Sequence, residues 1–290
     1  MKLKYIVKKS DKNKTINKII STEFNLSTRL LNKLIKNKLI YNNNSIVDTR
    51  SLANVNDLIT IDLGIKEDNS NIVPNKMNLD IIYEDEWLLV INKPTGIPVH
   101  PSILHYEDSL SNGVKYHFDK IGLNKKIRPV NRLDLNTSGI VVFAKCEYIQ
   151  EELSNQMSNN TFEKIYLCLV EGFLQNKQGT INLPIARKEG SIIEREINCS
   201  GKPSITHYKV LKEFKNYSLI ECKLETGRTH QIRVHMKAIG HPLIGDTLYG
   251  NSSTLINRQA LHSYKTSFIH PITKKYIEFI ANIPNDFKIE

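Results

Sequence analysis

Apolar positions change their period along this chain, and the changes divide it into segments. Between Ser27 and Leu39, Leu30, Leu31, Leu34, Ile35 and Leu39 fall on one helical face while Arg29, Lys33, Lys36 and Lys38 project elsewhere, which predicts an amphipathic basic helix. A weaker helical stretch with Ile16, Ile19, Ile20 and Phe24 precedes it. Leu39-Ile40-Tyr41 and Ile46-Val47 follow as short strands around an Asn42-Asn43-Asn44 turn, and Ile59, Ile61 and Leu63 alternate as another after Asn56-Asp57. Residues 64–78 are polar, contain a proline and lack an apolar period, so they read as a linker.

From Leu79 onward the pattern is strand-rich. Ile81-Ile82-Tyr83 and Trp87 to Ile91 flank a turn at Glu84-Asp85-Glu86, and Gly139 to Ala144 reads as a buried strand. Ile149, Leu153 and Met157 recur every four residues and predict a helix over 147–159, before Phe162 to Val170 returns as a strand. Ser204 to Val210 and Tyr217 to Leu224 form a hairpin around Lys215-Asn216. A last helix is expected over Thr229 to Ile239, with Thr229 as N-cap, Gly240 just past its end and Pro242 beyond. The class is α+β, with a small N-terminal αβ module over 1–63, a linker over 64–78 and a large domain over 79–290.

Composition narrows the chemistry. With 290 residues, 40% of them apolar and 24% charged, the chain can bury a large core and is too apolar to be disordered. Residues 1–20 hold seven lysines and no apolar run of signal-peptide length, and no apolar run elsewhere approaches a membrane span. A cytoplasmic monomer without membrane contact is expected. Cys146, Cys168, Cys199 and Cys222 have no metal-knuckle or redox spacing and read as small buried hydrophobes. HExxH, GxGxxG and GxxxxGK patterns are absent, so neither a metal nor a nucleotide cofactor is expected. Lysine and arginine exceed acids by 40 to 30, and residues 1–63 carry a net +7 of the total +10. A polyanion is the matching partner, with Arg29, Lys33 and Lys36 as candidate contacts; a solubilising basic arm fits the charge alone equally well.

Arg132 to Gly139 places a carboxylate, two hydroxyls and a glycine directly before the expected buried strand, where a sheet edge can present a side chain to a substrate. Alone, a local Arg132–Asp134 ion pair in a Thr/Ser turn explains the segment better. Its company changes the balance. NRLDLNTSG at 131–139 resembles the HRLDxxTSG signature of the RluA family of pseudouridine synthases. YEDEWLLVINKPTGIPVHPS at 83–102 is similar to that family's entry strand and loop, and EKIYLCLVEG at 163–172 to its tyrosine-bearing strand. LETGRTHQIRVHMKAIGHPLIGDTLYG at 224–250 resembles its arginine-bearing motif, and RQALHSYKTSFIHPIT at 258–273 its closing strands. The resemblance spans residues 79–287, and residues 1–63 separately resemble a small RNA-binding module first seen in a small-subunit ribosomal protein. Two positions depart from the pattern: Asn131 stands where histidine is usual, and Cys168 where alanine is common.

The resemblance implies a mixed, largely antiparallel sheet and conversion of uridine to pseudouridine in structured RNA without a cofactor. The glycosidic bond breaks, the uracil turns, and it rejoins the ribose through carbon 5. The resemblance assigns the essential carboxylate to Asp134, which either attacks the sugar or removes a ribose proton. It assigns the active-site tyrosine to Tyr166 and the arginine to Arg233. A buried carboxylate needs a nearby cation to stay ionised, which suits Arg233, and Tyr166 offers a flat face and a phenol near the carbon 5 proton. Arg132, Thr137, Arg228 and His230 are candidate substrate-binding residues. Large-subunit ribosomal RNA is the expected substrate, transfer RNA the second, with the uridine unpaired or flipped out. Three other readings stay open: an RNA-binding protein of this fold without catalysis, a hydrolytic N-glycosidase pairing Asp134 with Asp246, and a metal-dependent nuclease, which the lack of an apparent carboxylate cluster disfavours.

Overall fold

After a first strand, β1 (Lys2–Ile6), side-chain hydroxyls start two helices. Thr15 Oγ1 accepts the N–H of Lys18 at the head of α1 (Ile16–Phe24), and Ser27 Oγ accepts that of Leu30 at the head of α2 (Thr28–Lys36). The computed structural model describes residues 1–287, so the final three residues of the expected large domain lie outside the described residues. The basic helix is shorter than its apolar spacing suggests. Lys38 takes a left-handed conformation (φ 54°), ending the helical run before Leu39 can join it, and Ile35 is left exposed. Asn43 and Asn44 both have positive φ and form the tight turn between β2 (Ile40–Asn42) and β3 (Ser45–Ile46). With β4 (Leu58–Asp62) these strands form a four-stranded sheet in the order β1-β4-β2-β3. Leu30, Leu34, Ile16 and Ile20 of the helices are buried in one cluster with Ile40, Ile59 and Ile61 of the sheet.

The polar segment 64–78 is irregular but packed. Glu67 accepts both terminal guanidinium nitrogens of Arg128 at 2.7 Å, and Lys33 of α2 reaches Glu67 at 3.2 Å and Glu147 at 2.9 Å. Lys125, buried, donates to the carbonyls of Leu63 and Ile65. Lys33 is therefore not the free polyanion contact expected from the sequence, because the flank of α2 that carries it faces acidic groups. Arg29, largely exposed, lies 3.6 Å from Glu147, and Lys36 is exposed.

The large domain is built on one nine-stranded sheet. Its elements are β5 (Asp80–Glu84), β6 (Leu88–Lys93), α3 (Leu110–Lys120), β7 (Ser138–Ala144), α4 (Glu147–Ser158), β8 (Glu163–Glu171), β9 (Gln178–Asn182), a separate hairpin of β10 (Ile185–Arg187) and β11 (Arg195–Ile197), β12 (Ile205–Glu213), β13 (Tyr217–Leu224), α5 (Gln231–Ala238), β14 (Leu261–Ile269) and β15 (Tyr276–Ile280). The order is β5-β6-β7-β14-β8-β13-β12-β9, with β15 also on β14, and all pairs are antiparallel except β7 with β14. The mixed, largely antiparallel sheet of an α+β protein is thus present. Strand β7 is buried at every position, as its unbroken apolar run requires. Among the described residues no helix is long and apolar enough to cross a membrane. Cys146, Cys168 and Cys222 are buried as expected, but Cys199 is exposed, and Cys168 and Cys222, 54 residues apart, bring their sulfurs to 3.7 Å on neighbouring strands.

Candidate active site

Sheet register brings the distant motifs into one line. Lys93 pairs with Gly139, Gly139 with Ser263, Ser263 with Tyr166, and Tyr166 with Cys222, so one row crosses β6, β7, β14, β8 and β13. Gly139 is what lets β14 approach β7. It has φ 109°, and a Cβ there would lie 2.2 Å from the Ser263 carbonyl oxygen. The turn carrying Asp134 enters this row, closed by the Thr137 N–H on the Asp134 carbonyl at 3.0 Å.

Lys93 holds the same turn from below. Fully buried, its ammonium donates to the carbonyls of Pro94, Ile97 and Leu135 at 2.8, 2.8 and 3.0 Å. Burial pulls its pKa down to about 7, with Asp134 opposing. Three acceptors match the three N–H groups of the charged form, so deprotonation would turn a lone pair toward a carbonyl.

Asp134 is half-buried, its side chain 26% exposed, and two groups approach its Oδ2: Arg233 Nη1 at 3.4 Å and His230 Nε2 at 3.8 Å. Arg233 is gripped far more tightly elsewhere. Its Nε and Nη2 donate to the two oxygens of Asp246 at 2.7 Å each, and Asp246 also accepts the N–H groups of Leu248 and Tyr249. Burial works against the guanidinium charge, but Asp246 outweighs it and holds the pKa above the usual arginine value. Arg233 is thus a fixed cation whose remaining nitrogen faces Asp134. Asp246 is 1% exposed and fully engaged, which removes the second carboxylate that a glycosidase reading requires.

The helix bearing Arg233 is anchored through its polar residues. Gln231 and His235, one turn apart, bond to Ile205 and Thr206 of β12 and to the Leu183 carbonyl, which leaves Arg233 on the opposite side of the helix, toward Asp246 and Asp134. α5 begins one residue later than expected because His230, not Thr229, occupies the N-cap, in a left-handed conformation (φ 59°). That conformation puts His230 Nδ1 2.8 Å from the Tyr249 hydroxyl, which accepts the Arg195 N–H at 2.7 Å. The hydroxyl's own proton is free to point to Nδ1, an arrangement that puts the imidazole proton on Nε2, the nitrogen facing Asp134 at 3.8 Å. Burial lowers the His230 pKa, against the pull of Asp134, so the ring is neutral near pH 7.

Asp134 and Tyr166 line a cleft of about 680 Å³ together with His100, Arg132, Lys164 and Arg228. Burial raises the Tyr166 pKa to about 12, so its phenol keeps its proton at neutral pH. Arg132 and Arg228 are exposed on the rim. Thr137 instead is buried and accepts a bond from Gln259 at 3.3 Å, bracing the turn. Asn131 lies flat against β7, donating to the Ile140 carbonyl and accepting the Val142 N–H, so at this position the side chain completes strand pairing and does not touch Asp134.

A family model described as RNA pseudouridylate synthase matches residues 87–238, which contain every one of these residues except Asp246, Leu248, Tyr249, Gln259 and Ser263. The chain belongs to this family. The synthase is 39% identical over 272 residues to the uncharacterised RNA pseudouridine synthase YhcT of Bacillus subtilis, covering 93% of this chain and 90% of that protein. It is 40% identical over 248 residues to ribosomal large subunit pseudouridine synthase D of Zymomonas mobilis, covering 80% of this chain and 78% of that one. The solved structure of human RNA pseudouridylate synthase domain containing 1 superposes with a TM-score of 0.59 at 28% identity, over 71% of this chain and 84% of that one. The synthase is an RluA-family enzyme that isomerises uridine in RNA to pseudouridine. Sequence reasoning missed how Asp246, Tyr249 and Lys93 organise the site. The GDTLYG segment holding the first two lay inside a motif already singled out, but no spacing rule says which arginine an aspartate will grip.

Proposed function

We propose that this synthase modifies uridines in large-subunit ribosomal RNA, acting as a monomer, with Asp134 as the catalytic carboxylate and the N-terminal module as a salt-sensitive grip. The similarity to a relative named for the large ribosomal subunit, over four fifths of this chain, carries the substrate assignment. The proposed roles follow from the geometry. Asp134 is the accessible carboxylate of the cleft, with Arg233 Nη1 and His230 Nε2 facing its Oδ2 at 3.4 and 3.8 Å. Tyr166, protonated at neutral pH, serves first as the flat surface under the detached uracil. Arg132 and Arg228 on the rim meet the flanking backbone, while Arg29 and Lys36 extend the positive surface over the N-terminal module. A paired base cannot reach the cleft floor, so the target uridine is unpaired or flipped.

Pseudouridine mapping of total RNA from cells with and without this gene tests the substrate. The expected result is loss of one or a few pseudouridines from large-subunit ribosomal RNA. Loss confined to transfer RNA would reassign the substrate, and loss of modification from neither RNA would overturn both assignments.

A further inference from the structure

Lys164 has no place in the roles given so far, yet it is one of the least expected side chains in the cleft. It lies on β8 two residues before Tyr166, so both side chains leave the same face of the strand, and both line the cleft. The residue is 8% exposed. Among the described residues its ammonium has no hydrogen bond or ion pair, whereas the buried lysines Lys93 and Lys125 each donate to two or more carbonyls. Burial pushes its pKa down, and no neighbouring acid offsets the push. A buried cation with no partner costs stability, and such a cost at a cleft wall points to a missing anion.

The position of the ammonium restricts what that anion is. A Cβ at Gly227 would lie 3.7 Å from Lys164 Nζ, which places the charge against the Gly227-Arg228-Thr229 loop. Arg228, exposed on that loop, lines the same cleft. Two residues along a strand are roughly 7 Å apart, so a base lying over Tyr166 leaves Lys164 beyond the ring, where the backbone of the same strand runs.

We propose that the Lys164 ammonium receives a phosphodiester oxygen of the RNA strand next to the target uridine and so positions that nucleotide over Asp134. This rests on the reading that the uridine is bound in this cleft. Lys164 is a positioning residue: it holds the backbone and touches neither the glycosidic bond nor carbon 5.

The test compares wild-type protein with Lys164→Met and Lys164→Arg, using a single-stranded octauridylate and its methylphosphonate analogue, whose backbone is uncharged. Across a salt series, Lys164→Met should bind octauridylate about tenfold more weakly, with a logarithmic salt slope smaller by about 0.7, the value for one phosphate contact on a single strand. Lys164→Arg should retain most of the slope, and the methylphosphonate strand should bind wild type and Lys164→Met alike. Without RNA, Lys164→Met should melt at or above the wild-type temperature, because it removes an unpaired buried charge. An unchanged affinity and slope overturn the proposal, as does a lower melting temperature for Lys164→Met, which would make the ammonium a structural group. A fall in single-turnover rate at saturating RNA with affinity and slope intact also overturns it, placing the ammonium on the base. The salt slopes need no turnover, so failure of wild type to modify ribosomal RNA would sink the substrate assignment while leaving this result readable.

Discussion

The cleft and the N-terminal module both carry excess positive charge, and they use it in different ways. Around the cleft three buried cations are held in different ways: Arg233 is clamped by Asp246 with one nitrogen toward Asp134, Lys93 is saturated by three carbonyls, and among the described residues Lys164 has no partner. In the N-terminal region, Arg29 and Lys36 stand in solvent, while Lys33 ties α2 to Glu67 of the irregular segment 64–78 and to Glu147 at the head of α4. Net charge therefore says that a polyanion is near but not which cation meets it. Burial and pairing divide the cations into those that shape the reaction, those that join domains and those that grip.

The largest expected effect lies in the cleft. Asp134→Asn is nearly isosteric and cannot carry the negative charge, so pseudouridine formation should be abolished while folding and RNA affinity survive; product made at the wild-type rate would remove Asp134 from the mechanism. Arg233→Lys keeps a charge but loses the fork that Asp246 grips, and should lower the single-turnover rate by roughly 10²-fold. Retained turnover would mean that the clamp is structural only.

The next effect lies at the junction. Glu67 is buried between Arg128 and Lys33, and Glu67→Gln leaves those cations under-compensated, which should cost about 3 kcal/mol in denaturant unfolding. If stability is unchanged, the junction is not held by these charges, and the contrast drawn between Lys33 and its neighbours weakens. The same packing makes truncation at residue 63 more damaging than a simple arm would be, since Lys125 would lose the Leu63 carbonyl.

The smallest effect separates grip from rate. Replacing both Arg29 and Lys36 by glutamine should reduce the salt slope of RNA binding by roughly one to two units with no change in single-turnover rate at saturating enzyme. An unchanged slope would show that the module's exposed cations do not meet phosphate.

Much of this was legible in the sequence because it depends on local periodicity. The strand-forming run before Ala144, the hairpin of β12 and β13 and the helix of Leu30 and Leu34 are set by neighbours a few residues away, and the motifs around Asp134, Tyr166 and Arg233 identified the family. The ends of elements were less legible, since left-handed Lys38 ended a helix whose apolar spacing ran on to Leu39, and left-handed His230 took the cap expected at Thr229. What only tertiary structure decided was pairing. Arg233 lies 99 residues from Asp134 and 13 from Asp246, yet its tight bonds go to Asp246. Lys33 turns inward, and among the described residues Lys164 stays alone. Each outcome depends on strand register and on which side chains converge in three dimensions, and an ion pair forms between groups that the fold brings within about 4 Å, wherever they stand in the chain.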